Sequence, residues 1–490
     1  MPSTGEATDQ QQGASPSVAS LWPLFVAAFT ATYTFSVANV AAPALAVGLS
    51  ASRGEVALFL GSFAAAFASC LILAGRLGDR YGRKRLFVTG LAAAVVTAVL
   101  AAAAPSVPLL VGARVLQGVA AAMVMPQILG TIQASLTGAE RNRALATFAA
   151  VSGVGTASGQ IIGGGLISLN PGGLSWRAAL ASLALINGAA LAGSARLPST
   201  KARACGAIDL RGALLVGASL MALVAALSLG PSLHWSPLTF AMLALGVLGL
   251  AAFWLTQVSA ERAGRAPLMP PSVVRLPPVR AGLVMAMLFF GGFGAFMYDF
   301  SVLTQTGFGL SPAASGLATV PFAAAFVITS VKIGAVTARW GRRTMERAGA
   351  LQAVALLAIA GLSVVAVVSD AGLAWVWWAQ LPFLLLGAAQ AAQFGPLVAT
   401  VMRHVPDQVA GLTGGMISTA QQTALGLSAA TIGAVFLATA QSAGWQVGFA
   451  VSLVVQACAA GLFVLLARSL RRRDASLVSP GEGVARGEHG

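Results

Sequence analysis

Charge is what this 490-residue sequence lacks most. Asp, Glu, Lys and Arg make up 9% of the chain, against about 25% in soluble proteins. Acids are the scarcer sign, with 14 Asp and Glu against 29 Lys and Arg. The length alone would suggest two or more soluble domains. We exclude them because so few charged residues cannot cover a water-exposed surface.

Cysteine and histidine are also scarce, at three residues each. Cys70, Cys205 and Cys458 lie far apart, so neither a disulfide nor a metal site is expected. The three histidines fall in predicted loops or in the C-terminal tail, away from any nucleophile. No GxxxxGK[ST] motif is present to hold a nucleotide phosphate. We therefore expect no enzyme, no cofactor and no metal.

Apolar residues are abundant, at 57% of the chain, and the mean hydropathy is +0.83. A membrane-spanning helix needs about 20 such residues, and the alternating strands of a membrane barrel are absent. We predict an all-α membrane protein with fourteen spans, at about 21–49, 56–77, 85–104, 107–134, 142–169, 175–195, 209–229, 237–258, 279–303, 313–337, 347–368, 373–400, 410–440 and 445–468.

The basic residues orient these spans. With both termini in the cytoplasm, 25 of the 29 Lys and Arg fall on the cytoplasmic side. Arg53 and Arg177 fall outside, and Arg114 and Lys332 are embedded. Basic residues collect on cytoplasmic loops of membrane proteins, so the net charge of +15 is a sign of topology and not of nucleic-acid binding. The prediction is a multi-pass protein of the bacterial inner membrane, with a disordered cytoplasmic tail at 1–20 and a cytoplasmic tail at 469–490 that is disordered from residue 474.

The densest charge lies in the loop GRLGDRYGRKR, residues 75–85, between the second and third spans. Its glycines permit a tight turn, and Asp79 could contact an arginine or a helix N-terminus. The plainer alternative is a simple positive-inside anchor, which leaves the glycines and Asp79 unexplained. The residues predicted to form a conformational switch are Gly75, Asp79, Arg80, Gly82 and Arg83.

A weaker copy of this loop, GAVTARWGRRT, occupies residues 334–344 on the same predicted side, with Ala338 in place of Asp79. The parallel repeat predicts two six-helix halves related by an axis along the membrane normal. The halves would span 21–195 and 279–468, and residues 196–278 would form a two-helix insert with its linkers.

These motifs resemble those of the major facilitator superfamily, and most closely its 14-span drug:proton antiporter group. The resemblance rests on the 75–85 loop, on RVLQG in the fourth span, on GTASGQIIGG in the fifth, and on QTGFGLSPAASG at 305–316. It implies a major-facilitator-type arrangement in which spans 1, 4, 9 and 12 line a central cavity. It also implies roles for a fourth-span motif (Arg114, Gln117, Gly118) and for an antiporter-like motif in the fifth span (Gly155, Gly159, Gln160, Gly163, Gly164).

The sequence departs from this group at two places. Thr34 stands where the first-span motif carries an aspartate, so the proton site inferred for the group is missing. Gln160 stands where the fifth-span motif usually has proline, which puts the kink of that helix in doubt.

Asp299 is the one acid inside a predicted span, and intramembrane acids are costly and by default functional. Asp299 and Arg114 lie at similar predicted depths, so we hypothesise that they face each other across the halves and act in gating and proton coupling. The alternative places Asp299 in water at the outer surface. The predicted substrate cavity combines amides with aromatic and thioether groups: Tyr33, Asn39, Phe63, Met125, Gln127, Gln390 and Gln393.

Together these features predict a secondary active transporter that exports small organic molecules by alternating access, as a proton antiporter and as a monomer. Two alternatives remain open. One is a facilitator or importer without proton coupling, and the other is a membrane sensor that transports nothing. The expected partners are an organic substrate, protons and the lipid bilayer.

Overall fold

The computed structural model of the protein describes residues 18–198, 209–372, 374–403, 405 and 407–478. Within them every regular element is helical. Cys205, His404 and most of the two predicted tails lie outside the described residues. The predicted all-α membrane class is confirmed.

Six long helices form the N-terminal part of the bundle, and two more follow them. The first six are α1 (Trp22–Gly48), α2 (Arg53–Tyr81), α3 (Arg83–Ala103), α4 (Val107–Ser135), α5 (Gly138–Leu169) and α6 (Trp176–Gly193). Next come α7 (Leu210–Leu229), α8 (Pro237–Arg262) and the short α9 (Pro271–Val274).

The C-terminal part contains more breaks. Its helices are α10 (Pro277–Val302), α11 (Pro312–Ala318), α12 (Val320–Val331), α13 (Ile333–Trp340), α14 (Thr344–Val368), α15 (Ala374–Trp378), α16 (Gln380–Arg403), α17 (Asp407–Ala443) and α18 (Trp445–Val478). A π-helical turn, Leu303–Gly307, follows α10.

The helices pack in two similar sets. In the first, α1 packs on α5 and α6, and α4 packs on α2 and α3. In the second, α10 packs on α17, α14 on α18, and α12 on α16. The two sets meet where α2 lies along α17 and where α5 meets α11 and α12, while α7 and α8 pair with each other and α7 lies against α2.

In the described part of the chain, thirteen helices are long and apolar enough to cross a membrane, or up to fourteen when the bent pair α11–α12 counts as one span. The tenth predicted span, 313–337, is therefore not one helix. It bends by 40° between α11 and α12, where Pro321 removes a backbone donor, and it breaks again at Lys332. At the C-terminus, α18 runs on to Val478, past the predicted end of its span at 468.

Candidate functional site

An ion pair closes the turn between α2 and α3. Arg83 donates from Nη2 and Nε to Oδ1 of Asp79, at 2.8 and 3.0 Å. Its Nη1 donates to the carbonyl oxygen of Gly130 in α4. Gly82, at the turn itself, has a φ of 100°, which side chains other than glycine rarely adopt. Asp79, Arg83 and the Gly130 carbonyl thus fasten the predicted switch loop to the fourth span, and we call them the N-terminal latch.

The loop also touches α4 one turn earlier. A methyl group on Gly78 would come within 2.0 Å of Oε1 of Gln127, and Gln127 donates from Nε2 to the Ala74 carbonyl at 3.0 Å. A methyl group on Gly75 would lie 3.7 Å from Cβ of Pro126, which is an ordinary van der Waals contact. Gln127, predicted as a cavity residue, has its amide group turned to the switch loop in this conformation.

Other cations of the loop bind neighbouring segments. Lys84 donates to the carbonyl oxygens of Ala195 and Leu197 at 2.7 and 2.6 Å, beyond the end of α6. Arg76 donates to the carbonyls of Ala266 and Pro267, after α8. The guanidinium of Arg80 instead lies 5.4 Å from the ring centre of Tyr81, its sequence neighbour.

Arg114 of the fourth-span motif is buried, with 1% of its surface exposed. It donates to Oε1 of Gln117 at 2.6 Å, and its guanidinium lies 4.9 and 4.4 Å from the ring centres of Phe59 and Phe63. Each cation–π contact can be worth about 2 kcal/mol once desolvated, so the two rings offset part of the cost of burial. The Nε atom has no hydrogen-bond partner.

The third member of that motif, Gly118, brings α2 and α4 together. A methyl group there would come within 2.3 Å of the Phe63 carbonyl oxygen. Small residues at such crossings allow close backbone approach. The fourth-span motif therefore combines a buried cation with the helix contact that keeps its two aromatic partners in place.

Asp299 is fully buried near the end of α10. Ser452 of α18 donates to its Oδ2, and Gln456, one turn further along α18, donates to the Ser452 hydroxyl at 3.1 Å. The other carboxylate oxygen, Oδ1, has no partner. The burial disagrees with the alternative that placed Asp299 in water at the outer surface.

Arg114 and Asp299 do not form an ion pair in this conformation of the described chain. Arg114 contacts groups of α2 and of its own helix, whereas Asp299 contacts α18. Their pairing in a second conformation stays a prediction.

One face of the fifth-span motif packs on α1. Gly155, Gly159 and Gly163 recur every four residues, and a methyl group on Gly159 would come within 2.5 Å of Cβ of Ser36. The hydroxyl of Thr32 in α1 also donates to the Ser152 carbonyl, at 2.7 Å. This glycine stripe therefore joins two helices of the same half.

A neighbouring face of the motif, one residue further along, meets α11 and α10. A methyl group on Gly164 would come within 2.3 Å of the Pro312 carbonyl oxygen, and one on Gly316 within 2.3 Å of the Gln160 carbonyl oxygen. Gln160 places its amide nitrogen 3.9 Å from the sulfur of Met297 in α10. The residue that replaces the expected proline thus contacts the helix that carries Asp299.

The ends of α1 and α10 on the predicted outer side are joined by hydrogen bonds. Ser301 donates to the Asn39 carbonyl at 3.2 Å, and Gln305 donates to the Val40 carbonyl at 3.1 Å and to the Ser301 hydroxyl at 2.8 Å. These contacts close the first and ninth spans against each other on the side opposite the 75–85 loop.

The predicted cavity residues do not form one set. The Tyr33 hydroxyl bonds to Ser182 of α6 at 2.8 Å, and the Asn39 amide donates to its own helix. Gln393 donates to Gln352 of α14. Phe63 lies under Arg114, and Met125 packs among apolar side chains.

Gln390 differs from the other predicted cavity amides. It is buried, with 1% of its surface exposed, and its Oε1 has no hydrogen-bond partner. An unsatisfied buried acceptor costs about 1–3 kcal/mol, so this oxygen is the free polar group of the predicted set.

Sequence reasoning missed an aromatic cluster on α10. Phe289, Phe290 and Phe293 approach half-buried rings of α16 and α1: Phe290 lies 5.4 Å from Phe394, and Phe293 stacks on Phe35 at 6.0 Å. The run LFFGGF, which ends two residues before FMYDF, was the available signal. The cluster joins spans 1, 9 and 12, three of the four that the resemblance assigned to the cavity.

Glu346 was also missed. This acid of α14 has 10% of its side chain exposed and accepts from Arg471 of α18, with Arg468 of α18 at 3.6 Å. We call Glu346, Arg468 and Arg471 the C-terminal ion cluster. In the sequence, Glu346 lies in the basic stretch GRRTMER, and no role was predicted for it.

The bundle combines two sets of membrane helices with a latched loop between α2 and α3. An acid and a cation are buried among the helices. Together these features define a secondary-transporter type of bundle. The family model described as Major Facilitator Superfamily matches residues 24–431. The chain belongs to that superfamily, as its motifs predicted.

The relatives narrow the class. The chain is 30% identical over 404 residues to a "Probable actinorhodin transporter" of Streptomyces coelicolor, covering 82% of this chain and 69% of the relative. It is 30% identical over 401 residues to a "Tetracenomycin C resistance and export protein" of Streptomyces glaucescens, covering 81% and 72%. These relatives place it beside the antibiotic and drug exporters of the 14-span type.

Among solved structures, a D-xylose-proton symporter matches with a TM-score of 0.66 at 16% identity, covering 92% of this chain and 97% of the other. At this identity the likeness shows the fold alone.

Proposed function

We propose that this protein is a proton-coupled exporter of bulky organic molecules that works by alternating access. The observation that carries the proposal is Asp299, a buried carboxyl group with one oxygen unpartnered, in a chain whose relatives are named for transport or export of antibiotics. We place the protein in the bacterial inner membrane as a monomer with both termini in the cytoplasm.

Asp299 is the residue at which we place the exchanged proton. A charge on this carboxyl group has Ser452 as its hydrogen-bond partner, and an ion with so few partners is costly among apolar helices. A proton on Oδ1 removes the charge. Movement of α10 against α18 would change those partners, so proton release would accompany the change of conformation.

The aromatic cluster of α10, α16 and α1 is the proposed contact surface for substrate. Phe293, Phe35 and Phe394 offer ring faces, and the unpartnered Gln390 oxygen offers one acceptor from α16. Apolar walls with a few fixed polar groups suit an amphipathic organic molecule. A compound of the antibiotic type named for the relatives fits that description.

Alternating access is supported by the pattern of contacts. The hydrogen bonds from Ser301 and Gln305 to α1 close the predicted outer side. Return to the outward conformation requires these bonds to break while contacts form near the N-terminal latch. Arg114 and Asp299 are the proposed charged pair of that second state.

The test uses purified protein in proteoliposomes with an imposed pH gradient and a fluorescent cationic dye as the transported probe. We expect the wild-type chain to accumulate the dye against its gradient and to lose accumulation with a protonophore. Asp299→Asn should abolish gradient-driven accumulation and retain downhill dye exchange. Asp370→Asn, at an exposed acid in a loop, is the matched control and should behave as wild type. Full accumulation by Asp299→Asn would remove Asp299 from the coupling mechanism.

A facilitator without proton coupling is the second candidate, and Thr34 favours it. The Thr34 hydroxyl donates to the Thr30 carbonyl of its own helix at 2.7 Å, and threonine does not titrate. Dye movement that follows the dye gradient alone, unaffected by pH, would select this function. A protein that moves no probe in either direction would instead fit the sensor alternative.

A further inference from the structure

A cleft of about 390 Å³ opens between α14 and α18 at the end of the bundle that faces the predicted cytoplasm. Six charged residues line it: Arg343, Glu346, Arg347, Arg468, Arg471 and Arg472. Five arginines against one acid leave four positive charges in excess around one small volume. Such a concentration of like charge is unfavourable unless an anion occupies it.

The excess positive charge of the cleft is not neutralised by other described groups of the protein. Glu346 is already shared by Arg471 and Arg468. Among the described residues, Arg343, Arg347 and Arg472 have neither a salt bridge nor a side-chain hydrogen bond. Guanidinium groups bind phosphate through paired N–H donors, so these three arginines offer a site for a phosphate-bearing ligand.

Exposed apolar residues lead from the cleft along the same two helices. On α14, Ala350, Val354 and Leu357 follow Arg347 at helical spacing, and Val354 and Leu357 are 60% and 50% exposed. On α18, Leu465 and Leu462 precede Arg468 and are 59% and 45% exposed. A ligand held in the cleft therefore meets charge at one end and a lipid-facing apolar surface at the other.

We propose that the cleft binds the phosphate headgroup of an anionic phospholipid from the surrounding bilayer, with its acyl chains along the apolar surfaces of α14 and α18. Basic pockets between membrane helices on the cytoplasmic side suit anionic headgroups. Free phosphate carries the same negative charge but cannot contact the apolar surface. A phospholipid contacts both the arginines and the apolar residues, so it is the ligand that we propose. The bound lipid bridges the eleventh and fourteenth spans beside the C-terminal ion cluster.

The test measures lipid binding to the purified full-length chain by native mass spectrometry in neutral detergent, with phosphatidylglycerol as the probe. We expect saturable binding to wild type. The triple variant Arg343→Gln, Arg347→Gln, Arg472→Gln should bind about a hundredfold more weakly, since each arginine near a membrane surface contributes about 1 kcal/mol. The control is Arg262→Gln, Arg265→Gln, Arg280→Gln, which removes equal charge elsewhere on the same predicted side and should bind as wild type.

Three results would overturn the proposal. Equal weakening in both triple variants would mean diffuse attraction to charge. Displacement of the lipid by an equal concentration of inorganic phosphate would mean a soluble anion site, and equally tight binding of phosphatidylcholine would mean no headgroup recognition.

If the triple variant fails to fold, crosslinking of a photoreactive phosphatidylglycerol to the wild-type chain tests the proposal instead. Crosslinks in 343–357 or 462–472 support the site, and crosslinks solely elsewhere overturn it.

Discussion

The two loops that repeat each other in sequence, both on the predicted cytoplasmic side, differ in what they touch. In the first, Asp79 and Arg83 reach the Gly130 carbonyl of α4, and Gly78 lies close against Gln127. In the second, Ala338 replaces the acid, and a methyl group on Gly334 would meet nothing within 4 Å. One loop is fastened to its neighbour and the other is open.

The acid of the second half lies elsewhere. Glu346, within α14, ties that helix to α18 through Arg471 and Arg468. The side chains of Glu346 and Arg471 are 10% and 30% exposed, whereas those of Asp79 and Arg83 are 37% and 27% exposed. The two arginines are similarly exposed, so the pairs differ in the burial of the acid. An exposed acid is easily left unpaired and suits a gate, while a buried acid suits a permanent joint. We therefore expect the first loop to act as a gate and the C-terminal ion cluster to act as a permanent joint.

Glu346→Gln should have the largest effect on stability. Removing the acid takes the counter-charge from Arg471 and Arg468, and the two Arg471 hydrogen bonds that join α14 to α18 are lost. Thermal unfolding of the detergent-purified protein should show a clearly lowered Tm. Arg468→Gln is the control, because this 55% exposed side chain lies 3.6 Å from the acid and should cost less than about 1 kcal/mol. Equal melting of the two variants would contradict the idea of a buried joint.

Gly78→Ala should come next and should distinguish the loops sterically. The added methyl group would lie 2.0 Å from Gln127 Oε1, so Gln127 must move, and overpacking of this kind costs about 1–3 kcal/mol. Gly334→Ala is the control glycine from the second loop, at the position that corresponds to Gly75. It has open space and should be neutral or stabilising, since alanine is favoured over glycine in helices. Unfolding midpoints of both variants measure the contrast, and a destabilised Gly334→Ala chain would mean that the second loop is packed as well.

The sequence was sufficient for features that depend on local pattern. Apolar runs placed the spans, the asymmetry of Lys and Arg supplied an orientation, and Asp299 stood out as an acid within a run. What it could not supply was the rotation of each helix about its axis. A shift of one residue turns a helical side chain by about 100°, so Gln127 and Tyr33 were assigned to a cavity although they contact α2 and α6.

The missed residues have a similar explanation. The role of Glu346 depends on its ion pair with Arg471, which lies 125 residues further along the chain. No local sequence pattern marks such a pair. The Arg114–Asp299 pairing was argued from equal depth alone. Depth sets the level of a residue in the bundle but not its neighbour, and in this conformation the neighbours are Gln117 and Ser452.

Asp79→Asn tests the gate directly and should affect transport more than stability. The asparagine keeps an acceptor for Arg83 but loses the charge, and a half-exposed ion pair contributes about 0.2–1 kcal/mol. The unfolding midpoint should therefore change little. If the latch must re-form in every cycle, about 1 kcal/mol lost from that step slows dye efflux about fivefold. Unchanged efflux would reduce the loop to a positive-inside anchor.

Ala338→Asp should have the smallest effect of the series. It restores the acid missing from the second loop, four residues before Arg342, as Asp79 precedes Arg83. Position 338 is exposed, so a new pair there would contribute at most about 0.5 kcal/mol. Open space around Gly334 leaves the loop without a close neighbour to bind, so efflux and the unfolding midpoint should match wild type in the assays used for Asp79→Asn. A severalfold change in efflux would show that an acid alone makes this loop a latch, and that the difference between the halves is one of charge and not of packing.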